Sequence, residues 1–278
     1  MSTKAEEVYK QLENAIASDQ IILPTLPEVA IKVRDAAEAE NSSAHSIADI
    51  LSQDASLTTR LIQVANSPLY RGNHAIEDIQ MAVTRLGIKI VKDLVVRLAM
   101  KQMYQATSDV LDKHFREAWS TSVEVAAICR MLASMTTIST EQALLAGLIH
   151  NIGALPILVI AEDDDDLFNN DAALTEVIQA ISGRVGKLIL ESWKFGPELI
   201  DAVTLCYQFD RQHDGDADLT DIIQVALLQG GFVENLPGAD DWSSIQAFTK
   251  LGMDTEVNTI DIEENKAMIE ETKSALMV

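Results

Sequence analysis

Apolar residues in this chain recur three and four positions apart, and that spacing constrains its fold more than any other feature. Val29, Val33 and Ala36 or Ala37 form one stripe. Ile47, Ile50 and Leu51 form another, and Leu57, Leu61, Ile62 and Val64 a third. Trp119, Val123, Ala126, Ala127 and Met131 form a fourth. At 3.6 residues per turn such positions share one helix face, whereas a half-buried strand would place apolar residues at every second position. The spacing predicts an all-α fold. Helix formers dominate, and aromatic residues are only 5% of the chain. With 47% hydrophobic residues, few glycines and few prolines, the chain can bury a sizeable core and is not of disordered composition. Its 278 residues allow one large domain or two small ones.

Local punctuation divides the chain into helices. Residues 4–18 read as one amphipathic helix, and Pro27 suits the first turn of the next. Ser43 and Asp54 are placed to cap the two after that. Residues 66–73, "NSPLYRGN", read as a turn, and Gly87 as a helix stop. A second half begins near Asp109 with a long helix over 115–135, then another over 140–160. "AEDDDDLFNND", residues 161–171, reads as a surface loop because neighbouring aspartates repel one another and disfavour helix. It lacks the alternating ligand spacing of a calcium loop. "ALTEVIQAI" and "RVGKLILESWKFG" read as two helices meeting at Ser182–Gly183, and Pro197 starts the next. Beyond Gly238 the chain is acidic, with weaker helical patterning. Four segments follow: an N-terminal helix (1–20), an N-terminal helical subdomain (21–108), a second helical subdomain (109–238) and an acidic extension (239–278).

The formal charge of −22 repels phosphate backbones, so nucleic acid is not an expected partner. Residues 76–98 superficially resemble a helix-turn-helix, but Arg85, Lys89, Lys92 and Arg97 are read as a solvated helix face. Cys129 and Cys206 lie in apolar segments, which implies no disulfide framework and suits a reducing cytosol. The N-terminus lacks the apolar core of a signal peptide. The apolar run 143–160 is about as long as a membrane span, but His150, Asn151 and Pro156 interrupt it. A buried core helix is expected there, with no membrane partner and a cytoplasmic location.

Further motifs point to a family. "LPTLPEVAIKV", "IADILSQDASLTTRLIQVANSPLY" and "AIEDIQMAVTRLGIKIVKDLVVRLAM" resemble the HDOD family in order and spacing. So do "AWSTSVEVAAI", "LLAGLIHNIGALPIL" and "GKLILESWKFGPELIDAV", and the resemblance runs from about Leu23 to Tyr207. Its most specific element is Asp-x-x-Leu-Thr followed by Ala-Asn-Ser. The resemblance implies an N-terminal helical bundle packed on a C-terminal HD-like bundle. It also implies kinship with HD-type metal-dependent phosphohydrolases and a role as a bacterial signal-output module.

An HD phosphohydrolase holds divalent metal through several histidines and two aspartates, so that the ion can polarise phosphate and acidify a bound water. Carried over by resemblance, the adjacent His-Asp pair falls on His150–Asn151, and an earlier histidine falls on Thr121. Another histidine falls on Ser182, a His-His pair on Cys206–Tyr207, and the closing aspartate on Leu227. One histidine among hydroxyls, an amide, a thiol and a leucine is not a metal site. Cys206 with His150 would supply two zinc ligands where three or four are needed. The expectation is a degenerate site with no catalytic residue, no metal and no cofactor. The His150–Asn151 pair is expected to bond to nearby backbone or to Thr121. Arg184 and Lys187 flank Ser182 and are candidate contacts for an anionic small molecule, or are simply solvated. The expected function is a non-catalytic signal-transduction module that binds a partner protein or a small messenger. The alternative is a metal-dependent phosphohydrolase acting on nucleotides or cyclic dinucleotides.

Overall fold

A computed structural model of the chain describes residues 3–18, 23–24, 26–39, 41–72, 74–104, 109–233 and 241–277. The segment boundaries expected at residues 20, 108 and 238 lie outside the described residues. All regular structure among the described residues is helical. The chain forms two compact units, one of residues Leu26–Met103 and Lys266–Val278, the other of Met1–Thr25 and Tyr104–Asn265.

The first unit contains α2 (Glu28–Glu38), α3 (Ala44–Leu51), α4 (Ala55–Ala65), α5 (Ile79–Leu86) and α6 (Ile88–Met103). Ser43 caps α3 in a capping box with Ser46, and the Asp54 carboxylate accepts the Leu57 amide of α4 at 2.9 Å. Asn66, from the Ala-Asn-Ser motif, pins the turn that follows α4. Its side chain donates to the Ile76 carbonyl at 2.8 Å and accepts the Ile76 amide at 2.7 Å. Gly87, at φ +82, ends α5 and lets α6 begin directly. Arg97 is not solvated as expected but buried, at 3% exposure. Arg85 bonds back to the His74 carbonyl at 2.7 Å, and Lys92 reaches Glu38 at 3.4 Å. The four basic residues therefore do not form one solvated face.

The second unit holds α1 (Thr3–Ala17), α7 (Asp109–Ala133), α8 (Thr140–Ile149), α9 (Ala154–Ala161) and α10 (Asp165–Phe168). It continues with α11 (Asp171–Ser192), α12 (Pro197–Leu205), α13 (Leu219–Gln229) and α14 (Gln246–Leu251). The chain's last helix is α15 (Glu263–Met277). α7 and α8 pack against each other through small residues. A Cβ on Gly147 would lie 2.7 Å from Ala126 Cα and 2.9 Å from Cys129 Sγ. α1 lies against α9 and α11 in the same unit. Within Thr140–Ala161, the most apolar window of 18 residues is 89% buried, so this apolar stretch is core.

Three local expectations need correction. Residues 140–160 are two helices, broken by a turn at His150–Gly153. There the Gly153 backbone presses on α11, where an added Cβ would meet the Ser182 carbonyl at 2.1 Å. Conversely, Ser182–Gly183 do not break α11. Gly183 lies against the Thr204 carbonyl and Gly186 against Val203 of α12, so these glycines serve close helix packing. The aspartate run is not all loop: Asp164 accepts the Leu167 amide and starts the one-turn α10, which buries Leu167 and Phe168.

Candidate functional site

A cleft of about 320 Å³ opens in the second unit where the HD-type site was expected. α7 lines it with His114, Glu117, Ala118 and Thr121, which at helical spacing share one face. α11 contributes Asp171, Leu174, Thr175, Ile178 and Gln179 on the same principle. Asn151 enters from the turn after α8, Ala154 and Leu158 from α9, and Tyr207 from the end of α12. Phe232 closes one side, held by a 3.3 Å bond from Gln179 Nε2 to its carbonyl.

Of the residues singled out from sequence, Thr121, Asn151 and Tyr207 meet in this cleft. His150 sits beside them, wholly buried, its ring centroid 6.3 Å from that of Tyr207. His150 Nδ1 lies 2.6 Å from the Gly147 carbonyl. A carbonyl only accepts, so Nδ1 carries the proton and Nε2 presents a lone pair. Among the described residues that Nε2 has no hydrogen-bond partner, nor has the Asn151 side-chain oxygen. Burial pushes the His150 pKa down to about 4, outweighing the Gly147 carbonyl, so the ring is neutral at pH 7. The backbone bond matches one of the two partners expected for this pair.

Ser182, Cys206 and Leu227 are fully buried and do not line the cleft. Cys206 donates to the Val203 carbonyl at 3.3 Å, and burial raises its thiol pKa to about 12. It is a thiol, a poor nucleophile and a poor metal ligand. Arg184 and Lys187 do not line the cleft either. The Arg184 guanidinium bonds Glu6 at 3.0 Å and lies over the Tyr9 ring at 3.5 Å, while Lys187 pairs with Glu191 at 3.9 Å.

The donors present do not fit a divalent ion. His114, Glu117 and Asp171 line the cleft, but no three ligand atoms drawn from them and His150 lie within 4.8 Å of one another. Among the described residues the one trio of His, Cys, Asp or Glu with ligand atoms within 4.8 Å of one another is His213, Asp218 and Asp221. That trio lies at the start of α13 and already holds a cation. Arg211 bonds Asp221 at 3.1 Å and also pairs with Asp218, while His213 Nε2 lies 3.2 Å from Asp221. Asp218 also caps α13. Burial pushes the Asp218 carboxyl up, but the Arg211 guanidinium and the Asp221 amide outweigh it and hold it below the usual range.

His114, Glu117, Asp171, Thr175 and Gln179 were not read as site residues. Helical spacing could have found the first two, since 114, 117 and 121 share a face. The α11 residues carry no such signal, because nothing local brings them to Thr121.

The HDOD domain family matches residues 23–209, and the chain belongs to that family. Its fold is similar to a crystal structure from Shewanella amazonensis SB2B that bears the provisional name of a metal-dependent phosphohydrolase. The TM-score is 0.82 with 29% identity, over 99% of this chain and 100% of that one. A structure from Marinobacter aquaeolei VT8, provisionally named a signal transduction protein, is similar at TM-score 0.67 and 20% identity. That match covers 99% of this chain and 66% of the other. An uncharacterised protein of Treponema pallidum (strain Nichols) is 22% identical over 193 residues, 65% of this chain. The match spans 37% of that relative's length.

Proposed function

We propose that the chain is a non-catalytic signal-transduction module of a bacterial cytoplasm, acting by binding a partner protein or a small messenger. Its HD-type site is degenerate. The observation that carries this reading is the setting of His150: one available imidazole nitrogen, flanked by the amide of Asn151 where a carboxylate would be needed. Glu117 and Asp171 line the cleft but form no ligand trio with His150, so too little anionic charge gathers at its ring to grip an ion and acidify its water. The cleft remains as a binding surface, and the Marinobacter relative's name is in keeping with signalling.

A second reading, a metal-dependent phosphohydrolase on nucleotides or cyclic dinucleotides, draws on the Shewanella relative's name. Elemental analysis of the purified chain separates the two, together with phosphate-release assays on linear and cyclic nucleotides in the presence of Mn²⁺. The module reading expects no stoichiometric metal and no release above buffer. One ion per chain, lost in His150→Ala along with phosphate release, would establish the second reading.

A further inference from the structure

Resting on the reading of the chain as a binding module, we infer that the cleft takes a small organic cation, a protonated amine, and not a phosphorylated messenger. Its lining contains the carboxylates of Glu117 and Asp171 and no lysine or arginine. Asn151 also lines the cleft, and among the described residues its side-chain oxygen has no donor. Tyr207 and Phe232 add aromatic surface. A phosphate needs cationic side chains or free amides at a helix start. The start of α11 is a poor place for one: Asn170 already accepts the Ala173 amide, and Asp171 puts a carboxylate in the first turn. An ammonium group meets the opposite welcome. Carboxylates balance its charge, the amide oxygen accepts its N–H, and aromatic faces attract it. His114 Nδ1 lies 3.9 Å from Glu117 Oε2, and Lys113 reaches the other Glu117 oxygen at 3.7 Å from outside the lining. Glu117 stays more than half exposed and open to a ligand.

The test is isothermal titration of the full chain with putrescine and spermidine, and separately with cyclic diguanylate as the anionic probe. The amines are expected to bind saturably at one site. Glu117→Gln with Asp171→Asn is expected to weaken binding about tenfold, since two partly exposed charge contacts are removed. Asp163→Asn with Asp165→Asn changes the net charge equally, away from the cleft, and is expected to leave binding unchanged. Asn151→Leu, which removes the buried oxygen without touching charge, is expected to weaken it as well. Equal weakening in both charge pairs would mean diffuse attraction to an acidic protein and would overturn the inference. So would no saturable binding, or saturable binding of cyclic diguanylate abolished by Asn151→Leu. These three results leave the module reading standing, whereas metal-dependent phosphate release would remove that reading and the inference together.

Discussion

Replacing His150 by leucine tests whether the imidazole is held in place by packing alone. The substitution removes the Nδ1–H bond to the Gly147 carbonyl, worth about 1 kcal/mol net. It also removes a buried acceptor, Nε2, that has no donor and whose desolvation costs about 1–3 kcal/mol. Losing the bond also leaves the Gly147 carbonyl without that donor, a cost of similar size, so the two effects roughly cancel. At neutral pH the variant is therefore expected to lie within about 1 kcal/mol of the parent. Acid separates them. Burial moves the His150 pKa from 6.5 to about 4, so through that window the unfolded chain binds a proton that the folded chain refuses. A state that binds more protons gains as pH falls, so the folded parent loses stability on acidification and regains it as pH rises. Over the whole window this amounts to roughly 3 kcal/mol. Leucine does not titrate. His150→Leu should therefore gain on the parent by about that amount between neutral pH and pH 4. Urea unfolding of both proteins at several pH values, followed by circular dichroism, measures it, and the other titrating groups cancel in the difference. A difference that stays flat with pH would refute the reasoning. So would a variant more than about 2 kcal/mol less stable at neutral pH, because Nε2 would then have a strong partner in solution.

Three further outcomes are expected. Gly153→Ala should destabilise the second unit by about 2–3 kcal/mol in chemical unfolding, because the new methyl meets the Ser182 carbonyl of a packed helix. Arg211→Met should cost about 3 kcal/mol by the same assay, because it leaves the buried Asp221 carboxylate without the guanidinium that balances it. Asn66→Ala removes both bonds to Ile76 and should cost about 2 kcal/mol, with faster hydrogen exchange at the Ile76 amide as the local sign.

Helix starts were legible where the signal is a single residue acting on its own backbone. Ser43 and Asp54 cap α3 and α4 as their side chains allow, whatever the rest of the fold does. Helix breaks were less legible. Gly183 looks like a break because glycine is a poor helix former, but the contact with α12 outweighs that preference. The apolar run through His150 reads as one helix on its apolar content, although Asn151, Gly153 and Pro156 interrupt it locally. The break comes from the demand that Gly153 press on α11.

The ligand chemistry available at the positions carried over from the HD-type resemblance belongs to the sequence alone. Leu227 cannot ligate an ion in any fold, and Asn151 carries no charge in any surroundings. What lies next to what belongs to the tertiary structure. Glu117 and Asp171 are more than fifty residues apart in the chain, and packing brings both to one cleft beside Asn151 and Tyr207. The buried, donorless nitrogen of His150 is equally a product of packing. Composition and periodicity are properties of single segments, whereas a cleft, its charge and a shifted pKa arise only when distant segments exclude water together.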